Sequence, residues 1–186
     1  MALTNLLKIS QRRAFRRLVA NNRKRLYRIA FAWTSDPYLA DDLVQQTLLK
    51  ALSNQKQLRD LATAEGWLFR IMANCLTDYR RAKREFLSSD NLELVDRATP
   101  ERNVKEEQLV QKVRQAVQRL PISHRQVVTL VDLEEFSYAS VAQILDIPVG
   151  TVMSRLCRGR RALREELLED RLHEPTATAV NIKRIK

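Results

Sequence analysis

The sequence predicts an all-α protein, two small helical bundles joined by a flexible linker. Three observations predict it. Among 186 residues there are only 3 Gly and 5 Pro, too few turn formers for a chain of short strands. Apolar residues recur at i, i+3, i+4 and i+7 over most of the length, as in helices with one buried stripe. That period lapses between about 86 and 103, in FLSSDNLELVDRATPERN, which contains Pro100 and reads as a linker. The composition, 45% hydrophobic and 30% charged, is that of a folding chain. Each bundle is small, so its core is marginal and it gains from having a partner.

Helix by helix, Leu26, Ile29, Ala30 and Trp33 form the first apolar stripe. Asp36 suits an N-cap and Pro37 the first helical position, so a second helix is expected to about Leu52. Leu39, Leu43, Val44, Thr47, Leu48 and Ala51 cover its inner side. Asp42, Gln45 and Leu49 make an outer stripe, and a leucine exposed between Asp and Gln suggests docking on another protein's helix. SNQKQLRDLAT is a polar loop, and Thr63 is the expected cap of a helix over 64–85. Trp67, Leu68, Ile71, Met72, Cys75, Leu76 and Tyr79 share one side of that helix; Arg70, Asn74, Thr77, Arg80, Arg81 and Arg84 share the other. Arginines around one Asn suit nucleic acid: guanidinium groups hold phosphates and the amide reads a base.

After the linker, Val110, Val113, Val117 and Leu120 give a stripe ending at Pro121. Ser123 is the expected cap of a helix to about Glu135, and Ser137 of a short helix to Leu145. Asp146-Ile147-Pro148 is a tight turn into a long helix to about Asp170, followed by a tail, 171–186, expected to be mobile. The short helix, turn and long helix have the form of a helix-turn-helix. On the long helix Val152, Leu156, Leu163 and Leu167 fall inward; Gly150, Thr151, Ser154, Cys157, Arg158 and Arg161 fall outward. Hydroxyls, forked donors and a small apolar group suit base edges in a major groove.

Charge agrees with this. Lys plus Arg is 33 against 22 for Asp plus Glu, a formal charge of +11 and a pI near 10.2, which calls for a polyanionic partner. A membrane surface fits poorly, because the arginine faces carry no bulky aromatic insertion stripe. No run of 18 apolar residues exists for a membrane span. Residues 1–35 hold nine basic residues and no acid, as some transit peptides do, but the pattern runs unbroken into a packed helix. No secretory signal is recognisable, so the expected location is the cytoplasm. Cys75 and Cys157 read as reduced thiols; with His124 and His173 isolated, neither a metal nor a cofactor is expected. Paired carboxylates, a nucleophile–base spacing and a phosphate loop are all missing, which argues against an enzyme.

Three segments, LADDLVQQTLLKAL (39–52), WLFRIMANCLTDYRR (67–81) and RLPISHRQVVTLVDLEEFSYASVAQILDIPVGTVMSRLCRGRRALREEL (119–167), resemble, in order and spacing, a bacterial RNA polymerase sigma factor of the extracytoplasmic-function type. The likeness runs over about residues 20–168. It implies region two in 1–85, a linker over 86–103 and region four in 104–170. By this resemblance Asp42, Gln45, Gln46 and Leu49 dock on the clamp helices of core polymerase's largest subunit. Arg70, Asn74, Arg80 and Arg81, with the preceding loop, bind the −10 element as single strand and capture a flipped base. Thr151, Ser154, Cys157, Arg158 and Arg161 read the −35 element, and region four touches the flap of the second-largest subunit. An anti-sigma factor that clamps both regions is the usual regulator. Gln46, Ala139-Ser140, Met153 and Cys157 depart from the family pattern, the last two on or beside the reading face. The competing reading is an autonomous helix-turn-helix regulator that never meets polymerase; the Asp42/Gln45/Leu49 stripe, for which such a protein has no use, discriminates the two.

Overall fold

The structure, a computed structural model, describes residues 2–58, 60–89 and 105–172, with side chains over 13–58, 60–86 and 111–168. Seven α-helices run through these residues: α1 (Ala2–Thr34), α2 (Pro37–Ser53), α3 (Ala64–Ser89), α4 (Lys105–Arg119), α5 (Ile122–Val128), α6 (Tyr138–Leu145) and α7 (Val149–Leu172). There is no strand among them. Helices α1–α3 form one bundle and α4–α7 the other.

Most starts and stops follow local chemistry. Asp36 caps α2, its Oδ1 accepting from the N–H groups of Tyr38 and Leu39 at 2.9 and 3.2 Å, with Pro37 in the first turn. Ser137 caps α6 by accepting from the Ser140 N–H at 3.1 Å. Asp146 takes the left-handed conformation, φ 53°, and the Ile147 N–H bonds back to the Ala142 carbonyl at 3.0 Å, closing α6 before α7 begins.

Four expectations are corrected. Thr63 does not cap α3: it ends a 3-10 turn, Leu61–Thr63, whose cap is Asp60, accepting from the Ala62 N–H at 2.9 Å. Ser123 does not cap α5: the Pro121 carbonyl already accepts from the His124 and Arg125 N–H groups, each at 2.9 Å, so Ser123 lies inside the helix. That helix does not reach Glu135 either; it ends at Val128 and passes into a π-helical turn, Thr129–Leu133. Val113 is exposed, because α4 turns Ala116, Val117 and Leu120 inward. Helix α3 continues to Ser89, past the expected linker start; the rest of that linker, the side chain of Val110 and the tail from 173 lie outside the described residues.

The two bundles dock. Helix α6 packs on α3, while α4, α5 and the π turn pack on α1. The Trp33 indole N–H donates to Thr129 Oγ1 at 2.8 Å, both groups buried. Arg125 donates to the Trp33 carbonyl at 3.0 Å. Phe69 meets Phe136 edge-on, centroids 5.2 Å apart. The Glu134 carboxylate, its side chain only 2% exposed, bonds to Arg25 and lies 3.6 Å from Arg28. Arg25 also bonds Glu65 of α3 at 2.9 Å. A buried carboxylate stripped of a partner costs about 3–5 kcal/mol, so this cluster strongly prefers to stay whole.

Helix α7 is seated on α5 through Gly159. A Cβ there would lie 2.7 Å from Val128 Cγ2 and 3.5 Å from His124 Cβ. Val128 is buried and stiff at χ1, so it cannot swing aside. Gly159→Ala is therefore expected to destabilise the protein by about 1–3 kcal/mol through overpacking, against a gain of under about 1 kcal/mol in helix propensity. Urea denaturation measures the difference; a variant as stable as the parent would contradict the close approach.

Candidate functional site

Three faces remain open around this scaffold. The first is a groove of about 510 Å³ between the end of α2, the turn after it and α3. Lys50, Asn54, Gln57, Trp67, Arg70 and Asn74 line it. Leu68, Met72 and Cys75 are buried on the other side of α3, which turns Arg70 and Asn74 outward. Trp67 is braced by Phe15, ring centroids 6.1 Å apart. The lining offers three amides for base edges, an indole to stack on, and two cations for phosphate. Lys50 is shared with Asp78 at 3.4 Å. Arg80 and Arg81 are exposed further along α3 and do not line the groove. Helical period alone puts Arg70 and Asn74 on one face; only the fold around the loop brings Lys50, Asn54 and Gln57 to them.

The second face is on α2. Asp42, Gln45, Gln46 and Leu49 are all exposed, Leu49 at 65%. Gln46 donates to Asp42 and Gln45 to Asp41, each at 2.8 Å, one turn back along the helix. The stripe is longer than its sequence reading: Tyr38, 87% exposed, lies one turn before Asp42, and Leu52 follows Leu49 on the next turn. The i, i+4 spacing of Tyr38 and Asp42 is the signal that could have found it.

The third face is on α7. Ser154, Cys157, Arg158 and Arg161 are exposed and Thr151 half-buried, while Val152 and Leu156 are buried beneath them. Ser154 Oγ donates to the Thr151 carbonyl at 3.1 Å. Arg160 lines a groove beside Cys157 and Arg161, with its guanidinium forked onto Asp132 at 2.5 and 3.2 Å. Those bonds raise the Arg160 pKa and leave it a structural cation. A second groove, about 420 Å³, runs between the start of α6 and this face, floored by Tyr138, Met153 and Leu156 and rimmed by Arg160, Arg161 and Arg164. Beneath α7, burial lowers the pKa of His124, and Arg158 and Arg155 lower it further. Neutral imidazole therefore dominates there near pH 7, adding no charge behind the arginines.

No cluster of metal-ligating side chains occurs among the described residues, and no described helix is long and apolar enough to cross a membrane. Cys75 is buried and Cys157 exposed, both as free thiols.

The chain matches two family models, Sigma-70 region 2 over residues 18–86 and Sigma-70, region 4 over residues 110–163. It is 32% identical over 176 residues to the ECF RNA polymerase sigma factor SigM of Mycobacterium tuberculosis, covering 93% of this chain and 84% of that protein. It is 29% identical over 166 residues to the ECF RNA polymerase sigma factor SigW of Bacillus subtilis, covering 83% and 89%. Among solved structures it is similar to the sigma factor RpoE of Bartonella quintana in complex with the anti-sigma factor NepR, with a TM-score of 0.72, 26% identity, and coverage of 84% of this chain and 98% of that one. Two region models in the expected order, together with full-length relatives, place the chain in the sigma-70 family of RNA polymerase sigma factors, in its extracytoplasmic-function class.

Proposed function

We propose that the chain is an alternative sigma factor: it binds core RNA polymerase and directs initiation at promoters chosen by its own two DNA faces. One observation carries the reading. The chain presents an exposed Tyr38/Asp42/Gln45/Leu49 stripe separate from both arginine-bearing faces. A repressor needs the α7 face alone; a polymerase subunit needs all three. The likeness to a sigma factor solved with an anti-sigma factor supports a regulatory partner of that kind for this chain too. Its work is binding, in the cytoplasm, without catalytic chemistry of its own.

In this reading α7 enters the major groove of the −35 element with Thr151, Ser154, Cys157, Arg158 and Arg161, and Arg158 pairs with a guanine. The α3 groove takes a base extruded from the −10 element. Extrusion costs a few kcal/mol. Stacking on one aromatic face returns about 1–3 kcal/mol, so Trp67 offsets much of one base, and Asn74 selects it. Arg70, Arg80 and Arg81 follow the backbone on either side, which makes binding steeply salt-dependent.

Replacing Leu49 by Glu together with Gln45 by Ala is expected to weaken binding to core polymerase at least about tenfold, on the order of 1.4 kcal/mol, with helicity by circular dichroism unchanged. Co-purification with core at the parent's yield would refute the docking role. For the groove, Asn74→Ala is expected to cut open-complex formation by roughly tenfold, the loss of one base contact, while leaving affinity for a −35 duplex unaltered. Permanganate footprinting set beside duplex titration measures both; equal losses in the two would remove Asn74 from strand capture.

A further inference from the structure

The outward surface of α7 is divided along its length. Ser154 and Arg158 carry a hydroxyl and a guanidinium. One residue earlier on each turn, about 100° around the helix, stand Met153 and Cys157. Met153 is 53% exposed and Cys157 is exposed as a free thiol. Neither is needed to hold the bundle, because Val152 and Leu156 supply the buried contacts of the same turns. An apolar strip thus runs in water beside the polar one, on a helix otherwise set with arginines.

The strip is one wall of the groove of about 420 Å³ between α6 and α7. Tyr138, in the first turn of α6, stands across from it with its ring partly exposed. Arginines rim the groove and no acidic residue lines it. Such a lining suits an occupant with an apolar point set among anionic groups. Duplex DNA is such an occupant. In its major groove the base edges present hydrogen-bond donors and acceptors and one apolar group, the thymine C5 methyl. The flexible thioether of Met153 and the small, soft thiol of Cys157 pack well against a methyl. Charge complementarity supports this occupant, and so does continuity: Cys157 and Arg161 belong both to the groove and to the α7 reading face.

Resting on the reading of α7 as the helix that enters the −35 element, we propose that Met153 and Cys157 select thymine by its methyl group. The polar side of α7 reads base edges by hydrogen bonds, and the apolar side reads methyls at neighbouring positions. The spacing agrees. Met153 and Cys157 are about one helical turn apart, 5.4 Å, and base pairs are stacked at about 3.4 Å, so the two side chains address adjacent or next-adjacent steps. Arg164, further along the rim, meets a flanking phosphate. A lysine or arginine in place of Met153 would favour guanine, whose O6 and N7 accept hydrogen bonds. Methionine offers guanine no donor and thymine an apolar contact, so Met153 sets the base preference of this chain.

The test uses the full chain and a pool of random-sequence duplexes, from which the tightest-bound sequence is selected and titrated at fixed salt. Each of its thymines is then replaced in turn by deoxyuridine, which deletes the methyl and keeps every hydrogen-bonding group. One or two neighbouring thymines are expected to respond, each with affinity lowered about three- to fourfold, as for one buried methyl; the other thymines should be silent. In Met153→Ala, with helicity by circular dichroism unchanged, the penalty for deoxyuridine should vanish at one of these positions. Met153→Leu, which keeps an apolar side chain, should retain it. Cys157→Ser should reduce the penalty at the neighbouring position. Deoxyuridine without effect at every thymine, or a penalty that persists undiminished in both Met153→Ala and Cys157→Ser, would overturn the proposal. So would a Met153→Ala variant that loses affinity for core polymerase and not for the selected duplex, since the strip would then serve a protein. If the full chain selects no sequence from the pool, the reading of α7 as a DNA-reading helix fails instead, which separates the two claims.

Discussion

A carboxylate almost wholly removed from water is the constraint around which this structure is arranged. Glu134 belongs to the second bundle, but the cations that neutralise it, Arg25 and Arg28, belong to the first. Desolvation opposes the charge on Arg25, yet Glu134 and Glu65 outweigh it and raise the Arg25 pKa overall. Arg25 thus ties α1, α3 and the second bundle at one point, with its guanidinium 5.8 Å from the Phe69 ring. The buried Trp33–Thr129 hydrogen bond contributes about 1 kcal/mol net, and more through the cost of leaving either group unpaired. The cores of the two bundles are not separate. Side chains from both, Leu26 and Trp33 beside Val127 and Ile144, enter one continuous apolar cluster. Each bundle is the partner that the other's small size calls for.

That pairing explains why the candidate faces are where they are. The bundles consume one side of α1 and α3 and the inner sides of α5 and α6 in meeting each other. What remains outward is the α2 stripe, the α3 groove and the α7 face. The recognition helix is set by two contacts from below, the close approach at Gly159 and the Asp132–Arg160 fork. These fix its depth and rotation, leaving Ser154, Cys157, Arg158 and Arg161 outward. Of the arginines on α7, Arg160 is thus committed to a carboxylate, while Arg158 and Arg161 point outward.

Local chemistry made much of this legible in the sequence. Asp36-Pro37, Ser137 and Asp146-Ile147-Pro148 mark boundaries because caps and turns act over a few residues. The outward positions of Asp42, Asn74 and Arg158 followed from helical period alone. The readings that needed correction fell where neighbours in space override neighbours in sequence. Ser123 looked like a cap, but Pro121 had already begun the ladder. Nothing in TLVDLEEF signals a π turn, which is sustained by the docking it permits. Nothing in the sequence tied Glu134 to Arg25, which lies 109 positions away. Trp33 read correctly as core, while its hydrogen bond across the seam had no local sign. Gly159 likewise carries no local sign that Val128 lies beneath it.

Purified core polymerase with a pool of genomic DNA fragments, with and without this chain, tests the central claim most directly by run-off transcription. The account predicts discrete transcripts that need both core and chain, starting at fixed distances downstream of shared −35 and −10 sequences. Transcription by core left unchanged by the chain, or altered only when another specificity subunit has already started it, would contradict the account and leave a helix-turn-helix regulator in its place.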